Sequence, residues 1–287
     1  METTPAEGEA PIEAAGPKSR AAAGLKRVLF AEHTLALKAQ GLPPRMAILV
    51  AVAAGAVLLV LVLGLVAGTG RAGAFWFGRG SPVFGYPLSI QNLMHVLFAL
   101  GLAELYVRSR VARFERAFIG QGFLPEDEET VLQIKDLGAI RRRVAKSFDG
   151  DNGFLPSLID LAILRLQTSR SVDQAVNVVN ASLELIGQRL DLRYQLIRYL
   201  IWVIPTVGFI GTVVGIAGAL AFVNPDSMDL KAITGSLAVA FDTTVIALLW
   251  SAILVLIQHI VQKEEEMALN QAGHYCLKNL INRVYLG

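Results

Sequence analysis

The sequence predicts an all-α membrane protein: four transmembrane helices, a helical cytoplasmic domain between the second and third, and last helices that extend into the cytoplasm. Composition points there first. Of 287 residues 54% are hydrophobic and 17% charged, with a mean hydropathy of +0.51, too apolar a balance for a soluble domain of this length. Pattern points there next, because four runs reach the roughly 20 apolar residues that a helical span requires. Charge placement is the third observation, since Lys and Arg crowd one side of those runs. The same composition excludes other classes. A single cysteine, Cys276, rules out a disulfide framework and a multi-cysteine metal site. A formal net charge of +2 gives nucleic acid no footing.

Taken in order, residues 1–24 are rich in Ala, Glu, Gly and Pro and read as a disordered cytoplasmic tail. No signal-peptide core occurs in the first 45 residues. Residues 25–45 read as an amphipathic interfacial helix, with Lys26, Arg27 and Lys38 directed to lipid headgroups. Residues 46–107 hold the first two spans. Met46 to Ala67 carries no charge, and Tyr86 to Val107 includes Asn92, His95 and Glu104. Glu104 with Arg108 at i+4 reads as an ordinary helix-end pair. Between these spans, Phe75, Trp76, Phe77 and Tyr86 suit the outer interface, and GRGSPVFG reads as an outer turn.

Residues 108–198 form the helical cytoplasmic domain. Within it Glu126 to Leu137 and Arg141 to Arg143 look like solvated helix faces. A break at 149–153 precedes a helix from Leu155 to Thr168. Ser171 with Gln174 predicts a capping box opening the next helix. From there Val172, Val176, Val179, Leu183, Ile186, Leu190 and Ile197 recur at helical spacing, so this helix runs toward the third span. Such a helix either transmits cytoplasmic movement or simply packs.

Residues 199–262 hold the third span, Leu200 to Val223, and the fourth, Ala232 to Val261. Residues 263–287 read as a cytoplasmic C-terminal helix. Six Lys and Arg precede the first span and fourteen lie in 108–198, against Arg71, Arg79 and Lys231 in the short connections. Both termini are therefore expected in the cytoplasm.

The candidate functional residues lie in the last two spans. Gly208, Gly211, Gly215 and Gly218 share one stripe of the third span, with Thr212 inside it. Small stripes let a neighbouring helix approach closely, or they face something that slides past. Pro205 loosens the helix and frees a backbone carbonyl. In the fourth span Ser236, Ala240, Thr243, Thr244, Ala247 and Ser251 share a second small stripe. Two such stripes suggest a narrow, partly wet lining, whereas back-bonding to the threonines' own helix is the plain alternative. Asp242 is turned about 160° from Thr244. It marks an ion route or a buried pairing, with Asn92 and His95 as candidate partners.

IPTVGFIGTVVGI, through Pro205, Gly208, Gly211, Thr212, Val213 and Gly215, resembles the third-helix signature of the MotA/TolQ/ExbB proton-channel family, and LAVAFDTTVIAL is similar to its last helix. The resemblance spans roughly residues 155–266. It implies a bacterial inner-membrane homopentamer around a dimer of a single-span partner that carries a membrane aspartate. Ion flow then drives rotation, with protons as the ion of most of the family and sodium as the alternative. Carried over residue by residue, Thr212 and Thr244 line the ion path, with Thr243 as neighbour. Asp242 departs from the family's usual small residue or threonine. A flagellar stator, envelope-energising transport, gliding and phage defence are the kinds of work implied, with a cytoplasmic rotor or effector as a further partner. No cofactor is implied.

A non-conducting membrane scaffold is the competing class. An enzyme has no support, since His33, His95, His259 and His274 stand at no metal-ligand spacing and no nucleophile elbow or phosphate loop occurs.

Overall fold

A computed structural model describes residues 34–79, 86–127, 129–148, 153–224 and 227–285. The expected tail, residues 25–33 of the interfacial helix, the outer turn at 80–85 and the break at 149–152 lie outside the described residues. Residues 33–287 form one compact unit.

Four helices are long and apolar enough to cross a membrane. After a short α1 (Thr34–Ala39), α2 (Arg45–Val66) follows Pro44, whose extended backbone opens it. α3 (Arg71–Phe77) is ended by Gly78 at φ 64°, where Arg79 N–H reaches back to Gly73 O, the closure only a left-handed residue allows. α4 (Ile90–Ala117) starts at Ser89, whose hydroxyl accepts from Asn92 N–H. α5 (Ile134–Val144), α6 (Phe154–Ser169) and α7 (Val172–Arg193) follow. Ser171 caps α7 by accepting from Gln174 N–H. Only Tyr194, itself right-handed, separates α7 from α8 (Gln195–Leu220), so the expected near-continuous helix into the third span is present. α9 (Leu230–Asn279) opens at Asp229, which accepts from Lys231 and Ala232 N–H. Its 50 residues reach about 75 Å, far beyond one bilayer.

The described parts of the short connections, 67–79, 86–89, 221–224 and 227–229, lie at one end of the spans, the loop end. The domain end carries residues 118–171. Its core joins Leu137, Ile140 and Val144 of α5, Leu158, Ile159 and Leu166 of α6, Val179 of α7, and Leu269 and Cys276 of α9. α1 adds Ala36 and Leu37, both buried, and Gln40 Nε2 donates to Arg110 O.

Two expectations are corrected in this domain. Residues 126–127 and 129–131 are not helical, because the chain is drawn out into β1 (Leu132–Gln133), which pairs in parallel with β4 (Val284–Tyr285). Arg283 secures the approach by donating to the carbonyls of Pro125, Glu126 and Asp127. For the same reason the last helix stops at Asn279 and the chain turns into β4. At the loop end, β2 (Val223–Asn224) and β3 (Ser227–Met228) form a small antiparallel pair between α8 and α9.

Candidate functional site: a seam of small residues with a threonine pair

α8 and α9 run antiparallel and meet along the two small stripes. A Cβ on Gly208 would run into Ala247. One on Gly211 would stand 2.7 Å from Thr243 Oγ1, and one on Gly215 2.6 Å from Ala240 Cβ. The glycines are therefore what lets the two backbones touch. For these three residues the stripe is occupied by the chain's own fourth span, so of the two readings left open the close approach of a neighbouring helix is the one seen there. Gly218 lies half-buried further toward the loop end, and Ser236 is buried on α9.

Close approach brings hydroxyls within reach of carbonyls on both helices. Thr243, fully enclosed, has its Oγ1 2.7 Å from Ala240 O and 3.3 Å from Gly208 O. Thr206 and Thr234 bond their own preceding turns in the same way. Thr212 bonds its own preceding turn as well, with its Oγ1 3.3 Å from Gly208 O, but it and Thr244 add a further contact. Their hydroxyls hydrogen-bond each other across the seam, and Thr212 Oγ1 also stands 3.1 Å from Ala240 O. A hydroxyl has one proton and two lone pairs, so the pair forms a short donor–acceptor chain. Both residues are half-buried, at the edge of the seam. Apolar side chains flank them outward, among them Phe209, Val213, Phe241 and Val245.

Pro205 and Ser251 explain one another. Proline has no N–H, so Ile201 C=O loses its helical donor. Ser251 Oγ donates to that carbonyl at 3.1 Å from the facing helix. The freed carbonyl is thus satisfied by protein.

Asp242 lies on the far side of α9 from Thr244. Its Oδ1 accepts from Arg71 Nη2 at 3.0 Å, and the carboxylate is 5% exposed. This corrects the expected partners, because Asn92 bonds Pro87 O and His95 is engaged elsewhere. Helical rise sets the depth of Asp242. Trp250, eight residues and so about 12 Å inward of Asp242, contacts His95, itself only five residues inside the start of α4. Asp242 therefore stands level with the first connection, where the Arg71 side chain reaches it from a 67% exposed position.

His95 holds α3 to both inner helices. Trp250 Nε1–H can only donate, and it meets His95 Nδ1 at 2.9 Å. The ring proton accordingly sits on Nε2, which donates to Trp76 O at 2.8 Å. Phe98 stacks on Trp250 with 4.2 Å between ring centres.

At the domain end of the spans, Glu104 corrects another expectation. It is fully buried and takes both Arg108, at 3.2 Å, and Arg45, at 2.9 Å. Arg108 also donates to Arg193 O, while Tyr194 Oη donates to Glu265 Oε2 at 2.9 Å. These charges join α2, α4, the α7–α8 joint and α9. Nothing in the sequence pairs residues so far apart, and Arg71 was legible only as a cation of the first connection.

A helical multi-pass membrane protein with a hydroxyl-lined seam between its last two spans is the class that this geometry defines. Residues 152–272 match the MotA/TolQ/ExbB proton channel family, so the resemblance in the sequence is shown over that segment, which includes the whole seam. No curated protein and no solved structure matches the chain.

Proposed function

We propose that this chain is the multi-pass subunit of an ion-driven motor in a bacterial inner membrane, with both termini cytoplasmic. Five copies surround a dimer of a partner with one transmembrane helix, whose membrane aspartate takes up and releases the ion. Thr212 and Thr244 line the path, with Thr243 behind them, and ion flow turns one component inside the other. The work is delivered across the envelope or to a cytoplasmic rotor or effector. The chain itself catalyses no covalent chemistry and needs no cofactor. Protons are the ion of choice and sodium the alternative, since a hydroxyl both relays protons and offers lone pairs.

The observation that carries this reading is the Thr212–Thr244 contact inside the family-matched segment. Two other seam features, Thr243 and Ser251, bond carbonyls alone; Thr212 reaches the carbonyls of Gly208 and Ala240 too, but it also pairs with the Thr244 hydroxyl. The test is co-purification with the adjacent reading frame, native mass, and ion flux in liposomes. We expect a five-to-two assembly. Thr212→Val or Thr244→Val should keep that mass and lower flux at least about tenfold, which corresponds to 1.4 kcal/mol. Unchanged flux in both variants would overturn the reading.

A second reading draws on the close Gly–Ala and Gly–Thr contacts of the same seam: a non-conducting scaffold. It expects stable assembly without a single-span partner and indifference to both valine substitutions.

A further inference from the structure

We infer that Arg71 and Asp242 are a positioning pair that fixes the rotation of α9 about its own axis and so aims Thr244 at Thr212; the inference rests on the ion-path role proposed above for those threonines. α9 is held at two points near one level, on nearly opposite faces. On one face Thr244 meets Thr212. On the other Asp242 meets Arg71. With side-chain atoms roughly 5 Å from a helix axis, a turn of about 30° displaces them by about 2.5 Å, enough to break a hydroxyl contact. Trp250, bonded to His95, holds α9 about 9 Å further along the helix, but at the level of Thr244 itself the seam offers small residues that make a smooth surface and resist that turn little. The second tether supplies the resistance.

Arg71 is a firm anchor because the helix that carries it is itself fixed. Trp76 O accepts from His95, Phe77 O accepts from Ser89 Oγ at 2.7 Å, and both donors belong to α4 or its cap. The charge on Asp242 is bound to this anchor as well. Its Oδ2 is buried with no hydrogen-bond partner among the described residues, so Arg71 is the group that balances it. A buried carboxylate deprived of its cation moves toward water or toward another donor, and here either movement rotates α9. The pair touches no ion in this arrangement. Its influence on the path runs through Thr244.

The test is a disulfide between cysteines placed at the threonine pair. Cys276, the one native cysteine, is buried and does not compete. In the full chain, Thr212→Cys with Thr244→Cys should cross-link rapidly under mild oxidation. Adding Arg71→Gln or Asp242→Asn should slow that cross-link about fivefold, a population change of the size that loss of one such contact produces. Arg71→Lys, which keeps a long cation, should restore it. Arg71 is mostly exposed, so its variants fold even if Asp242→Asn does not. An unchanged cross-linking rate in Arg71→Gln would overturn the inference. So would flux abolished by Asp242→Asn with cross-linking intact, because the acid would then be an ion stop. Flux absent from every form, with the cross-linking pattern as expected, would sink the motor reading and leave the positioning pair standing.

Discussion

Single residues in the seam have roles that divide cleanly by what their hydroxyls or missing side chains touch. Ser251 satisfies the carbonyl that Pro205 frees. Ser251→Ala should therefore destabilise the protein in detergent by about 1–3 kcal/mol, the cost of a buried acceptor left unpaired, read as a lower melting temperature. Gly211→Val should be worse than Gly211→Ala, because even a methyl group meets Thr243 at 2.7 Å and overpacking costs about 1–3 kcal/mol; thermal unfolding of the two variants checks the order. The threonines and glycines were legible in the sequence because helical spacing alone places them on shared stripes. Arg71 was not, since its meeting with Asp242 depends on α3 folding back over the spans, and no periodicity encodes that. Glu104 was misread for a related reason: its i+4 neighbour was visible, whereas burial and the approach of Arg45 arise only when α2 packs against α4.

At the scale of elements, existence and type were legible, and ends were less so. Apolar runs give the helices and Ser171 one of their starts, whereas the caps at Ser89 and Asp229 emerge in the structure. The extended stretch before α5 was missed because acidic residues read as a helix face until Arg283, some 150 residues away, gathers the carbonyls of Pro125, Glu126 and Asp127. The joint between α7 and α8 is the element-level feature with the largest energetic stake. Four helices bring buried charges to it, and Glu104 is the carboxylate that Arg45 and Arg108 share. Glu104→Ala should cost about 3 kcal/mol, as removal of one partner from a buried ionic group does. Differential scanning fluorimetry in detergent measures it, and Glu104→Gln should lie between the two.

For the whole molecule, the proposed orientation, drawn from the distribution of Lys and Arg, is open to a direct check. Cysteine placed at Leu88, 83% exposed at the loop end, should react with a membrane-impermeant maleimide added to intact cells. Cysteine placed at Lys278, exposed at the domain end, should react only after the inner membrane is opened. The reverse pattern would invert the topology. Assembly was the least legible level in both sequence and single chain. A neighbour's side chains are not written in one copy, and the apolar outer faces of α2, α8 and α9 suit lipid and protein alike.

The unbroken length of α9 has a mechanical consequence. Thr244 and Asn279 belong to one helix, and the 35 residues between them span about 52 Å. Tilting that helix by about 5° at the threonine level carries its far end sideways by about 4–5 Å. A helix tilting so would act as a lever with its fulcrum at the threonines, converting a displacement too small to open a gap between spans into one as large as the spacing of neighbouring strands.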